Sequence, residues 1–199
     1  MKIKEYFMSI KNHSLLLKIK HPSRYIGDEF NSVKKDKGSV DVSVALAFPD
    51  IYDVGMSHQG LKILYKILNS HQWIAAERVF SPWTDLEEEM RNRKIPITSL
   101  ESETPLNNFD IIGFSLQHEL SYSNVLTILE LSGVPFLSSE RDDSFPLVIA
   151  GGPACFNPEP VADLFDAILI GDGEEAVIEI CETVRTAKNQ KIKKSGLLE

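Results

Sequence analysis

The stretch "VSVALAFPDIYDVGMSHQGLKILYKILN", residues 42 to 69, decides how the rest of the chain is read. Its first seven residues form an apolar run of strand length, closed by Pro49 and Asp50. The period then changes: Leu61, Leu64, Tyr65 and Leu68 fall at i, i+3, i+4 and i+7, which predicts a helix over 57–69. A strand, a turn-rich loop and an amphipathic helix make one βα unit, the building block of a parallel sheet.

The same alternation continues outward. "WIAAERVF" (73–80) is a weaker strand, and Ser81 and Pro82 stand where the N-cap and first residue of a helix "SPWTDLEEEMRNRK" are expected. "DIIGFSL" (110–116) is a third strand, with a helix that Gly133 and Pro135 terminate. "PLVIAGG" (146–152) is a fourth, followed by a short helix around "PVADLF". "DAILIGD" (166–172) leads into "GEEAVIEICETVRTA", where Asp172 and Glu175 have capping-box spacing. Five such units predict an α/β, flavodoxin-like (Rossmann-like) doubly wound five-stranded parallel sheet of order 2-1-3-4-5, spanning residues 41–187.

Residues 1–40 differ in kind. Lysines interleaved with Ile3, Phe7, Ile10 and Leu17 predict an amphipathic lead-in helix over 3–20, and "KHPSRYIGDEFNSVKKDKGS" is a connecting segment. This arm holds nine Lys/Arg against four Asp/Glu, in a chain whose net charge is −8. The acidic remainder disfavours nucleic acid, and docking on that acidic body is the simplest use of a basic arm. No apolar stretch approaches the roughly 18 residues of a membrane span or the core of a signal peptide, so a cytoplasmic location is expected. Cys155 and Cys181 form neither a disulfide framework nor a zinc pattern. Residues 188–199, a basic tail ending "KIKKSGLLE", are expected to lead into a downstream domain. Oligomeric state is not encoded in any motif.

In an open α/β sheet, ligands bind outside the carboxyl ends of the strands, which selects four loops. They are "PDIYDVGMSHQG", "SLQHELSYSN", "GGPACFNPEP" and "GDGEE". His58, His118, Asp53 and Glu119 have metal-ligating chemistry, but their spacing is equally that of caps and surface groups. Gly151 and Gly152 suit a phosphate turn, yet no GxGxxG or P-loop lysine follows. Asp172, Glu174 and Glu175 oppose a further anion at their helix start, and a plain N-cap explains them as well as a ligand does. Tyr52, Met56, Leu116 and Phe156 could line an apolar mouth or cap the core. Cys155 follows a turn and is expected to be accessible, whereas Cys181 lies on an apolar helix face. A flavin site is disfavoured because the first loop carries Asp50 and Asp53.

"PLVIAGGPACFNPEPVADLFDAILIGDGEEAVIEI" resembles the Gly-Gly-Pro to Gly-(Glu/Asp)-Gly-Glu stretch of cobalamin-binding-like N-terminal domains in radical S-adenosylmethionine, iron–sulfur oxidoreductase-like proteins. "RYIGDEFNSV", "ERVFSPW" and "FDIIGFSLQHELSYSNVLTILELSG" extend the resemblance over roughly residues 20–185. It implies a cobalamin crevice built from Tyr52, Val54, Gly55, His58, Ser115, Leu116, Gly151, Gly152, Pro153, Gly171, Gly173 and Glu174. It further implies that a four-iron four-sulfur cluster and S-adenosylmethionine belong to the downstream domain, whose CxxxCxxC is absent here. The segment itself then carries no catalytic residue. In the DxHxxG, SxL and GG pattern of such domains, Ser115, Gly151 and Gly152 match. Gln117 replaces the leucine, and around His58 the frame carries Met56 for Asp and Leu61 for Gly. The resemblance therefore implies cobalamin without a histidine axial ligand. A degenerate domain used for docking or dimerisation is the alternative.

Overall fold

The computed structural model describes residues 13–197; the expected helix over 3–20 falls largely outside them, and His13–Leu16 (α1) is helical. Five parallel strands form one sheet: β1 (Val42–Phe48), β2 (Ile74–Phe80), β3 (Ile111–Ser115), β4 (Leu147–Gly151) and β5 (Ala167–Leu169). Their order is β2-β1-β3-β4-β5, the doubly wound arrangement expected from the sequence. The connecting helices are α2 (Tyr52–Gly55), α3 (Gln59–Ser70), α4 (Thr84–Arg93), α5 (Tyr122–Ser132) and α6 (Ala176–Gln190).

Strand side chains alternate between two cores. Ala45, Ala47, Ile112, Phe114, Val148 and Ala150 face α1, α4 and α5. Val44, Leu46, Phe48, Ile111 and Leu147 face Leu61, Tyr65 and Leu68 of α3 and Val177, Cys181 and Val184 of α6. No helix among the described residues is long and apolar enough to cross a membrane.

Three local expectations are corrected. Helix α4 begins at Thr84, because buried Ser81 donates its N–H to Asp50 O (2.9 Å) and Trp83 donates to Tyr25 Oη (3.0 Å), keeping the chain extended through Pro82. The capping box before α6 does not form: Glu175 is the N-cap and makes no side-chain cap bond. "PVADLF" holds only a single 3-10 turn, Ala162–Leu164.

The arm lies on its own acidic body. Lys35 Nζ donates to Asn69 O, His71 O and Ile74 O (3.0, 2.7 and 2.6 Å), placing a cation at the negative end of α3. Val33 N–H donates to Tyr65 Oη (2.7 Å), and Glu29 pairs with Arg78 (2.9 Å). The tail folds against the amino ends of β4 and β5, where Lys194 Nζ pairs with Asp166 (2.6 Å) and donates to Pro146 O (3.0 Å).

Candidate functional site

A crevice of about 250 Å³ opens at the carboxyl ends of β1, β3, β4 and β5, on the face covered by α3 and α6. Leu46, Gly113, Ile149, Gly151 and Leu169 form its floor, at alternating positions of adjacent strands paired Leu46↔Gly113, Gly113↔Ile149 and Gly151↔Leu169. Leu64 of α3 and Val177 and Ile180 of α6 supply apolar walls. His58, Ser115, Gln117, Asp172 and Glu174 bring polar atoms to it.

Two floor glycines are required by neither backbone nor packing. Gly113 and Gly151 lack a positive φ, and a Cβ on either would meet only side-chain atoms at 3.8 Å or beyond and Leu169 O at 3.9 Å, which is ordinary contact. Their missing side chains deepen the crevice. Gly152 differs: its φ is 112°, and a Cβ there would stand 2.5 Å from Leu116 O. That carbonyl accepts from Ala154 N–H (3.1 Å) while Leu116 N–H donates to Gly151 O (2.8 Å), so Gly152 lets the loops after β3 and β4 lace together.

His58 has two tasks. Its backbone is the N-cap of α3, and its Nδ1 accepts from Leu61 N–H (3.2 Å). With Nδ1 an acceptor, a neutral imidazole carries its proton on Nε2. The ring packs on Phe48, with centroids 5.1 Å apart. Met56, which stands where the cobalamin frame has its aspartate, instead accepts from Arg78 Nη1 through sulfur (3.0 Å).

The structure brings His58, Ser115, Gly151, Gly152, Pro153, Gly171, Gly173 and Glu174 to the crevice. It places Tyr52, Val54, Gly55 and Leu116 elsewhere. Tyr52 lies edge-on to Phe80 and donates to Glu29 (3.0 Å), burial and the Glu29 charge pushing its phenol up to about 12. Val54 is exposed, Leu116 is buried in the opposite core, and Gly55 is pressed against the Phe80 and Phe48 rings. The apolar mouth expected of Tyr52, Met56, Leu116 and Phe156 is therefore not formed. Cys155, expected to be accessible, is fully buried and burial pushes its thiol up. Asp53 pairs with Arg24 (2.6 Å), and among the described residues no three His, Cys, Asp or Glu side chains form a group able to hold a metal ion.

Sequence reasoning passed over Leu46, Gly113, Ile149, Val177 and Ile180, which look like ordinary core residues. Gly113 did leave a signal, since a glycine interrupting "DIIGFSL" marks a place where something approaches the strand closely. Asp172 and Glu174 gain meaning once the capping box is gone: among the described residues their carboxylates accept no hydrogen bond and form no ion pair.

Against this geometry, residues 60–199 match the family of N-terminal regions of radical SAM proteins. An uncharacterized protein of Methanocaldococcus jannaschii is 22% identical over 141 residues, covering 69% of this chain and 26% of that protein. The chain thus spans about a quarter of that relative's length. The family match begins in α3, yet β1, which precedes it, lies inside the sheet between β2 and β3. With the family match covering well over half of its residues, this chain belongs to the family of N-terminal regions of radical SAM proteins.

Proposed function

We propose that this segment is the cofactor-facing N-terminal domain of a radical S-adenosylmethionine protein, and that its crevice receives cobalamin with no histidine axial ligand. The observation that carries this reading is the glycine floor: Gly113 and Gly151 leave open space over the sheet that neither their backbone nor their neighbours among the described residues require. At about 250 Å³ the crevice falls just below the roughly 300–1,000 Å³ of pockets that enclose whole drug-sized ligands. It therefore suits one arm of a larger cofactor, with the remainder lying over the rim. The amide-bearing periphery of a corrin can donate to Asp172 and Glu174, and the apolar walls suit a flat arm over the glycines.

The His58 arrangement fits the ligand-free form. Coordination through Nε2 would require His58 to shed a proton or abandon its cap on α3, and among the described residues no carboxylate takes the place of the frame's aspartate to orient it. When bound, cobalamin supplies a cobalt centre able to carry a methyl group or an electron. The four-iron four-sulfur cluster and S-adenosylmethionine belong, in this reading, to a linked downstream domain of the same protein. A second reading, a docking module, is favoured by Leu120, Phe156 and Ile170, which are 88%, 71% and 55% exposed on the loops after β3, β4 and β5.

Hydroxocobalamin mixed with intact full-length protein and followed through size exclusion separates the two. Near-stoichiometric retention is expected, falling at least about tenfold in Gly113→Leu, whose side chain would occupy the floor, with the circular dichroism spectrum retained. Absence of corrinoid from the wild-type protein overturns the cofactor reading in favour of docking. The His58→Ala variant is expected to leave the bound spectrum unchanged; a change from base-on to base-off absorbance would show histidine ligation instead.

A further inference from the structure

We infer that the N-terminal arm braces the first-strand loop of the crevice, with Arg24 and Glu29 as positioning residues and Asp53 and Tyr52 as their attachment points. The loop between β1 and α3 contains α2, a single turn of four residues, too short to hold itself by hydrogen bonding alone. Tyr52 and Met56 are four apart and share one face of that turn. The face is turned to the β2 edge, where Tyr52 Oη donates to Glu29 Oε1 (3.0 Å) and Met56 sulfur accepts from Arg78 Nη1 (3.0 Å). Beside them Asp53 pairs with Arg24 Nε at 2.6 Å, and the Arg24 guanidinium lies 5.6 Å from the Trp83 ring centroid.

The brace is fixed at its far end. Glu29 Oε2 accepts from Arg78 Nη2 (2.9 Å), Arg78 Nε donates to Glu101 (2.6 Å), and the guanidinium lies over the Tyr65 ring at 4.7 Å. A rigid chain of contacts thus runs from the β2 edge through Arg78 and Glu29 to Tyr52. Two residues beyond Met56 is His58, which lines the crevice. The loop's outer face is therefore held by the arm while its inner end forms a crevice wall. Release of the arm leaves this turn held by Gly55 against Phe80 and Phe48, by the Tyr52 ring on Phe80 and by Met56 on Arg78, with the Tyr52 hydroxyl and the Asp53 carboxylate untied.

Amide hydrogen exchange on intact, ligand-free protein tests the brace, comparing wild type, Tyr52→Phe, Arg24→Gln and the double variant. Tyr52→Phe removes the hydroxyl alone and keeps the ring on Phe80. In the double variant, exchange over residues 54–58 is expected to rise about tenfold, the loss of one charge-assisted bond and one ion pair, while β1 and β3 keep their protection. Phe30→Ser, at a 95% exposed position of the same arm, is expected to change nothing. Unchanged exchange over 54–58, or an equal rise across the whole sheet, overturns the brace. Its effect on the crevice rests on the proposed cofactor reading: the hydroxocobalamin dissociation constant of the double variant should weaken about three- to tenfold with the bound spectrum unaltered. Equal affinity despite a loosened loop overturns that coupling. If the wild-type protein retains no corrinoid, the cofactor reading falls and exchange alone decides the brace.

Discussion

The two edges of the sheet are finished in opposite ways. β2 lies at one edge, yet all seven of its residues are buried. Its outer backbone is satisfied without a sixth strand: Arg78 O accepts from Leu100 N–H (2.9 Å) and Arg78 N–H donates to the Glu101 carboxylate (2.7 Å). A bridge between Thr98 and Pro105 closes this covering segment, and Glu77 accepts from the Ser99 and Ser102 hydroxyls. β5, at the other edge, has three residues of which none is buried, and among the described residues it pairs with β4 alone. A polar, charged cover makes the first edge a fixed frame for the arm and the first-strand loop. The short, bare second edge leaves room for the crevice between Leu169 and α6. Shortness is itself a protection, because a three-residue strand offers little backbone for unwanted pairing.

Breaking the covered edge should have the largest effect. Arg78→Met leaves the Glu101 carboxylate, 0% exposed at its side chain, without its guanidinium partner, in a place where burial already pushes that carboxyl up. A loss of about 3–5 kcal/mol in urea unfolding is expected for removing one partner of a buried pair. The double variant Arg78→Met/Glu101→Gln should recover part of it, since the neutral amide removes the buried charge while keeping an oxygen for the backbone N–H of residue 78. A single-variant loss below about 1 kcal/mol would show the cover to be dispensable.

The open side contains two adjacent glycines with different duties. Gly152→Ala forces a side chain onto a backbone with φ of 112° and into Leu116 O, at an expected cost of about 1–3 kcal/mol. Gly151→Ala should cost under about 0.5 kcal/mol, because its Cβ enters the crevice rather than the fold. Equal losses at both positions would mean that the floor is packing and not a site.

These glycines mark the limit of what the sequence discloses. The strands, their order and the helices of the alternating pattern are legible because apolar periodicity is a local property, as with Leu61, Tyr65 and Leu68 of α3. The start of α4 is not, because Tyr25, far off in sequence, accepts the Trp83 N–H that the hydroxyl of a Ser81 cap would have accepted. Crevice residues contributed by turns, such as Gly152 and Glu174, are legible from position alone. Those contributed by strand faces, such as Leu46 and Ile149, are indistinguishable from core until the helix above them is seen to stand off. Tyr52 illustrates the converse: it sits in the right loop, and a contact with the arm turns it outward.

A third test compares buried groups under the helices that flank the crevice. Cys181 of α6 is fully buried, and burial pushes its thiol from 9.0 up to about 12. Above pH 9 the unfolded chain loses this proton while the folded chain keeps it, so stability falls as pH rises from 9 toward 12. The slope is at most about 1.4 kcal/mol per pH unit. Urea midpoints of Cys181→Ala should fall less steeply over that window than those of the wild type. Parallel curves would place the alkaline loss in other groups, such as Tyr65, whose phenol burial also pushes up to about 12.

The smallest effect is expected at the bare edge. Ile170, immediately after β5, is 55% exposed, so Ile170→Lys removes little buried apolar surface and places the residue type that commonly guards strand edges. Its unfolding free energy should stay within about 0.5 kcal/mol of wild type. The same replacement at Leu100, which is 8% exposed and covers the β2 edge, should cost several times more, because an ammonium would be pressed into the cover. A loss above about 1 kcal/mol at Ile170 that grows with protein concentration would mean that a second copy covers β5 in solution. The contrast between the two edges would then belong to the isolated chain alone.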